Sequence, residues 1–150
     1  MTMTKHHVFP ARPDGSSYPL VALHSSASTG GQWRSLAADF AGKRQVVTPD
    51  LPGYGIARRD VDWQNWATSD PVSLAGEAEA VLRSVGAAGP AFHLVGHSFG
   101  GAVALKLALC HPQRVRSLSL IEPVSFHLLL RGAGDDMRFY REILGLRDCI

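Results

Sequence analysis

A glycine-flanked serine lies between two strongly apolar segments of this chain. The segment Gly96-His97-Ser98-Phe99-Gly100-Gly101 follows the short apolar run 91–95 and precedes the longer apolar run 102–109. The first run has the length of a buried strand, and the second is long enough for a helix. A G-x-S-x-G pattern between a strand and a helix is typical of a nucleophile elbow, a tight turn that exposes a serine hydroxyl above a sheet.

The tightness of such a turn accounts for its glycines. A Cβ atom at Gly96 or Gly100 would collide across the turn, so both positions need the smallest residue. The turn holds Ser98 in a strained backbone geometry and directs the N–H of Phe99 toward a developing oxyanion. The alternative is a plain strand–turn–helix junction, in which Gly101 and its neighbours are small for packing alone.

Strands and helices alternate along the predicted chain. Strands are expected at 20–23, 45–48, 92–96 and 117–121, with a shorter one within 5–13. Helices are expected at 32–41, at 71–85 and directly after Ser98, the second with Asp70 as its N-cap and Pro71 as its first residue. This alternation specifies an α/β sandwich with a parallel sheet.

Polar side chains follow four of these strands at their carboxyl ends. They are His24, Asp50, Ser98 and Glu122. The carboxyl ends of parallel strands meet at one edge of the sheet, where the active sites of such folds gather. We therefore expect these side chains to converge on one rim.

Three segments of the chain, taken in order, resemble the α/β-hydrolase family. Leu23-His24-Ser25-Ser26-Ala27 is similar to the family's H-G-x loop, 50–55 to its D-x-P-G-x-G loop, and 96–101 to its nucleophile elbow. The resemblance extends from about Leu20 to Pro123. It implies a three-layer sandwich of α/β-hydrolase type over residues 1–123, with 124–150 as the start of a lid or cap segment.

The resemblance also implies roles for individual residues. Ser98 corresponds to the nucleophile, while Phe99 and Ser26 correspond to the residues whose backbone N–H groups form the oxyanion hole. Ser25 stands where the family usually has glycine, and a serine is small enough for a loop that must approach the substrate closely.

Two histidines are candidates for the substrate-binding wall of this site. They are His24, in the first loop, and His97, next to the serine. The alternative for His24 is a role in tying loops together, which the resemblance also implies for Asp50. The alternative for His97 is simple packing beside the elbow.

The acid and the base of the family's serine–acid–histidine triad are harder to place. Glu122 matches a position that carries the acid in some members; the alternative is that Glu122-Pro123 only ends a strand near the rim. His111 is excluded as the base, since at ~1.5 Å per residue it lies roughly 20 Å along a helix from Ser98. A reach from His127 would be novel. We therefore expect a C-terminally truncated chain that resembles the N-terminal and central part of the family.

The activity implied by the resemblance is attack by Ser98 on an ester-like carbonyl, with an acyl-enzyme that water then hydrolyses. The substrate would be a small acyl or ester compound. Dehalogenases and epoxide hydrolases use aspartate at the elbow, so the serine argues against them. The alternative is a non-catalytic hydrolase-like binding module or gene fragment. An exposed edge on the last strand would then favour self-association, which could also supply missing groups in trans.

Composition excludes several other classes of protein. The net charge is only +2 and the arginines are scattered, so nothing indicates a nucleic-acid partner. No apolar run approaches a membrane span. Two distant cysteines and the lack of an apolar leader favour a reducing, cytoplasmic location. No spacing indicates a metal, phosphate-loop or dinucleotide site, so no cofactor is expected.

Overall fold

The computed structural model describes residues 6–9, by their backbone, and residues 18–55, 73–86 and 89–124. The loop expected at 56–69 and residues 125–150 of the expected lid segment, which include His127, lie outside the described residues.

One sheet of five strands forms the centre of the described structure. The strands are β1 (His6–Phe9), β2 (Leu20–Leu23), β3 (Val46–Pro49), β4 (Phe92–His97) and β5 (Val115–Ile121). Their order across the sheet is β1-β3-β2-β4-β5. The pairs β3–β2, β2–β4 and β4–β5 are parallel, whereas β1 is antiparallel to β3. The predicted α/β fold with a parallel sheet is confirmed.

Three α-helices connect these strands in the described residues. They are α1 (Arg34–Asp39), α2 (Leu74–Ser84) and α3 (Phe99–Cys110), with 3₁₀ turns at Gly30–Trp33 and Pro112–Arg114. None of the helices in the described part of the chain combines the length and the apolar character needed to cross a membrane.

The predicted beginning of the second helix is wrong. Ser73 has an extended backbone, with φ −115° and ψ 145°, and α2 begins at Leu74. The hydroxyl of Ser73 accepts the N–H of Gly76 at 3.0 Å. Because this bond satisfies a donor that has no acceptor within the helix, Ser73 is the N-cap, not Asp70.

The two faces of the sheet pack against different helices. Side chains of β2, β3 and β4 meet α2 and α3 on one face, in a core that includes Leu23, Phe92 and Leu94. On the other face, Ala22 and Val95 pack against the buried Trp33. Because successive strand residues point to opposite faces, a strand covered on both sides needs a continuous apolar run. This gives the expected three layers.

Strand β5 forms one edge of the sheet within the described residues. It pairs with β4 along one side, and its last two residues, Leu120 and Ile121, are 37% and 45% exposed. An edge strand presents backbone N–H and C=O groups that can pair with another chain. Self-association through this edge stays a prediction.

Glu77 is a buried acidic residue in the first turn of α2. It is only 6% exposed, and its Oε2 atom has no hydrogen-bond partner among the described residues. Burial disfavours the charged carboxylate and raises the pKa of Glu77 from 4.5 to about 7. The folded chain therefore keeps a proton that the unfolded chain releases, so the free energy of unfolding falls as the pH rises from about 4.5 to 7.

Replacement of Glu77 by glutamine is expected to remove this pH dependence. At pH 8 the Glu77→Gln chain should be more stable than the native chain by about 1–3 kcal/mol, since the buried charge is gone. At pH 4 the free energies of unfolding of the native and Glu77→Gln chains should agree within about 0.5 kcal/mol. Urea unfolding across this pH range measures both values, with the exposed Asp39→Asn as the control. Parallel pH profiles for native and Glu77→Gln would contradict the prediction.

Candidate active site

Ser98 lies at the junction of β4 and α3 in a strained backbone conformation. Its φ of 53° and ψ of −116° are unfavourable for any residue with a Cβ atom. The N–H of Ser98 donates to the carbonyl of Ile121 at 2.9 Å. Its carbonyl accepts from Gly101, Ala102 and Val124 at 3.0, 3.2 and 3.1 Å. The helix start and the segment after β5 thus hold the serine between them, and Ser98 as a whole residue is half-buried.

The glycines around Ser98 lie against backbone atoms. A Cβ atom at Gly96 would collide with the carbonyl group of Gly100, whose carbon atom would lie only 2.7 Å from it. At Gly100 it would lie 2.6 Å from the carbonyl oxygen of Leu23 and would also collide with that of His24. Gly100 is therefore small because of β2, whereas Gly96 is small because of the turn itself. A Cβ at Gly101 would lie 2.9 Å from Pro123 Cβ.

The Gly100→Ala substitution tests this close approach. Because the collision is with backbone rather than a flexible side chain, we expect the free energy of unfolding to fall by about 2–3 kcal/mol. The matched control is Gly76→Ala in α2, where the nearest atom to a new Cβ, Ser73 Oγ, is 3.4 Å away. The free energy of unfolding of that variant, measured with urea, should equal that of the native chain or exceed it by up to about 1 kcal/mol. Equal effects at the two sites would contradict the explanation.

The backbone strain at Ser98 can be tested by substitution. Ser98→Gly should be more stable than Ser98→Ala by about 1 kcal/mol, because only glycine adopts this conformation without strain. At Ser35 in α1 the order should reverse, with alanine favoured by about 0.5–1 kcal/mol. Urea unfolding of the four variants measures both differences. The same order at both positions would rule out strain as the cause.

His24 connects the loop after β2 to the loop after β3. It is fully buried; Nδ1 donates to the carbonyl of Ser25 at 2.7 Å, and Nε2 accepts the N–H of Leu51 at 2.9 Å. Burial lowers the pKa of His24, although the Ser25 carbonyl and the Asp50 carboxylate act in the opposite direction. Both ring nitrogens are used within the protein, which favours the loop-tying interpretation over contact with a substrate.

Asp50 connects the same loop to the 3₁₀ turn at Gly30–Trp33. Its Oδ1 accepts the N–H of Gly30 at 2.8 Å. Gly55 lies so close that a Cβ there would collide with the Asp50 carboxylate, and its φ of 52° also favours glycine. The Asp50 carboxylate thus contacts both the 3₁₀ turn at Gly30 and the end of its own loop at Gly55.

The residues expected to form the oxyanion hole lie at the same end of the sheet. Ser26 is in the exposed turn after His24, and Phe99 is the first residue of α3, so its N–H has no acceptor within the helix. Leu23 and Gly96 are paired in the β2–β4 register, which brings the two loops together.

Aromatic rings also link this end of the sheet. The Tyr54 ring lies 5.3 Å from the His24 ring and 6.3 Å from the Phe99 ring, measured between centroids. The loop that carries Tyr54 therefore packs against the elbow as well as against the first loop.

Gln32 is a residue of the site that the sequence reasoning missed. Its Oε1 accepts both the N–H and the hydroxyl of Ser25, each at 3.0 Å. Its Nε2 lies 2.9 Å from Nδ1 of His97, the residue before Ser98. No spacing rule links two residues 65 positions apart in sequence, so only the adjacency of β2 and β4 shows the connection.

Glu122 lies just beyond β5, with its side chain 88% exposed and a left-handed φ of 43°. Its Oε2 is 4.0 Å from Nε2 of His97. The structure therefore places the expected acid beside the histidine that precedes the serine.

Two other histidines have partners away from the elbow. His93 Nδ1 lies 2.7 Å from Ser117 Oγ on β5, and His111 Nε2 lies 2.8 Å from Glu79 Oε1 on α2. Across the described ranges, no group of three His, Cys, Asp or Glu side chains is arranged to hold a metal ion.

Comparisons with known proteins agree with the fold. Residues 18–145 match a family model described as the alpha/beta hydrolase fold. The chain is 34% identical over 110 residues to a 2-hydroxymuconate semialdehyde hydrolase of Pseudomonas sp. (strain CF600), covering 71% of this chain and 37% of that protein. It is 30% identical over 115 residues to a fluoroacetate dehalogenase of Burkholderia sp, covering 77% and 37%. The chain thus spans little more than a third of the length of these relatives.

A solved structure has a similar fold. It is assigned to the alpha/beta hydrolases and comes from Nostoc sp PCC 7120. It superimposes with a TM-score of 0.68 at 26% identity, over 97% of this chain and 50% of that chain.

Proposed function

This chain belongs to the alpha/beta hydrolase family, and we propose that it carries the nucleophile of a serine hydrolase. One observation carries the proposal: Ser98 is partly exposed and strained between β4 and α3, with glycines on both sides packed against backbone. Strain of this kind persists only where the surroundings impose it, and it is concentrated at functional sites.

The proposed reaction begins with attack of the Ser98 oxygen on the carbonyl carbon of an ester-like substrate. The serine proton passes to a base, and the carbonyl oxygen becomes an oxyanion. The leaving alcohol takes a proton as its bond to carbon breaks, which leaves an acyl-enzyme that water hydrolyses. The N–H groups of Phe99 and Ser26 are proposed to stabilise the oxyanion.

The base is proposed to lie outside the described residues of the chain that carries the attacking serine. A serine hydroxyl is a weak nucleophile without a base to accept its proton. The described hydrogen bonds of His24, His93, His97 and His111 do not include Ser98. The candidates are His127 in the same chain and a group supplied by a second copy. Glu122 is the proposed acid, supported by its place next to the elbow.

An acyl compound is the proposed substrate class. The two relatives differ in chemistry, since one is named a semialdehyde hydrolase and the other a dehalogenase. Serine at position 98, in place of the aspartate that dehalogenases use, favours acyl transfer for this chain.

A non-catalytic binding module is the second candidate function. It is favoured by the described hydrogen bonds of the histidines, none of which includes Ser98. Without a base, the elbow would retain its shape but little reactivity.

Labelling with a fluorophosphonate probe distinguishes the two candidates. We expect the native 150-residue chain to be labelled and the Ser98→Ala chain to lose more than about 99% of that rate. Ser119→Ala, at an exposed serine on β5, is the control and should label like the native chain. A folded native chain that is not labelled would overturn the catalytic proposal in favour of the binding module.

The order of the labelling reaction then locates the base. A rate that rises linearly with chain concentration places the base in the same chain, and His127→Ala should then abolish labelling. A steeper rise indicates a base supplied by a second copy.

A further inference from the structure

The orientation of the Gln32 side-chain amide follows from its partners. A backbone N–H can only donate, so the Gln32 atom that lies 3.0 Å from the Ser25 nitrogen is the oxygen. The other end of the amide is then Nε2, which has hydrogens and no acceptor site.

This orientation determines where neutral His97 carries its proton. Nε2 of Gln32 donates to Nδ1 of His97 at 2.9 Å, so Nδ1 is an acceptor. A neutral imidazole has one proton, which must therefore lie on Nε2, the atom 4.0 Å from the Glu122 carboxylate. His24 has the opposite arrangement, with Nδ1 donating to a carbonyl and Nε2 accepting an N–H.

The backbone beneath Gln32 is firmly held. The adjacent Trp33 is 8% exposed and packs against the sheet. Thr29 caps the 3₁₀ turn by accepting the N–H of Gly31 at 3.2 Å, and Asp50 accepts that of Gly30 at 2.8 Å. The exposed side chain of Gln32 extends from this firmly held backbone, so it can hold its partners in place with little rearrangement.

We infer that Gln32 is a positioning residue that ties the first loop to the elbow and sets the tautomer of His97. One end of its amide holds Ser25, which precedes Ser26, and the other end holds His97, which precedes Ser98. The catalytic part of this inference rests on the proposed function, because it makes Gln32 responsible for the distance between the two proposed oxyanion donors.

The loop after β2, which carries Ser25 and Ser26, requires contacts beyond the strand pairing to fix its position. Ser26 and Ala27 form an exposed turn, and Ala27 has a left-handed φ of 57°. The strands on either side of the site are paired only as far as Leu23 and Gly96, so other contacts must set the position of the turn beyond them. Displacement of an oxyanion donor by about 1 Å is enough to weaken catalysis strongly.

Two substitutions separate the functions of the two ends of the amide. Gln32→Glu has nearly the same shape, still accepts from Ser25, and can no longer donate to His97. Gln32→Ala removes both bonds. The matched control is Gln113→Glu, which makes the same change of charge at an exposed glutamine in the 3₁₀ turn Pro112–Arg114.

The measurement is ¹⁵N NMR of the imidazole rings at about pH 8.5, where histidine is ordinarily neutral. Signals that are absent from His97→Asn identify His97. We expect the Nε2–H form for native His97 and the Nδ1–H form for His24. In Gln32→Glu, Nδ1 of His97 should carry a proton and donate it to the new carboxylate. The signals of His24 should stay unchanged in this variant. The spectrum of Gln113→Glu should match that of the native chain.

Hydrogen exchange of the Ser25 amide measures the other end of the tie. Exchange should be faster in Gln32→Ala than in the native chain by about threefold or more, and Gln32→Glu should restore the native rate. A native His97 in the Nδ1–H form, a His97 unchanged in Gln32→Glu, or an unchanged Ser25 rate in Gln32→Ala would overturn the positioning role.

Fluorophosphonate labelling connects this role to the proposed function. If the native chain is labelled, Gln32→Ala should be labelled about tenfold more slowly, and an unchanged rate would overturn the catalytic part of the inference. If the native chain is not labelled, the proposed function fails, and the NMR and exchange results still decide whether Gln32 positions Ser25 and His97.

Discussion

The candidate site depends on the close approach of the start of α3 to the end of β2. Gly100 touches the carbonyls of Leu23 and His24 with no room for a Cβ atom. This contact brings the first loop beside the elbow, while the hydrogen bonds of Ser98 to Ile121 and Val124 attach the segment after β5 on the other side. Ser98 is left with a conformation that it would not adopt in isolation.

Two kinds of interaction hold the loops around this contact. The buried imidazole of His24 and the carboxylate of Asp50 bond to backbone N–H groups, and loss of either would leave a donor unsatisfied inside the protein. The amide of Gln32 is exposed and connects side chains nearer the serine. Buried bonds therefore stabilise the loops around the site, and the exposed Gln32 side chain bonds to groups that lie nearer the proposed chemistry.

The strands and the elbow were predictable because their signals are local. The run 20–23 is apolar on both sides because helices cover both faces of the sheet. The start of α2 was mispredicted because the Asp70-Pro71 pair is a valid start signal, yet the cap bond forms at Ser73. The role of Gln32 was not predictable, since it arises from strands that are distant in sequence and adjacent in the sheet.

By itself, the sequence determined the alternation of strands and helices and the need for glycine around Ser98, because apolar periodicity and the space for a Cβ atom are properties of short segments. Only the tertiary structure decided the partners of the polar side chains. His24 bonds to Leu51, and His97 lies between Gln32 and Glu122. Such contacts depend on the order of strands across the sheet and on atomic distances, which no local pattern of residues encodes.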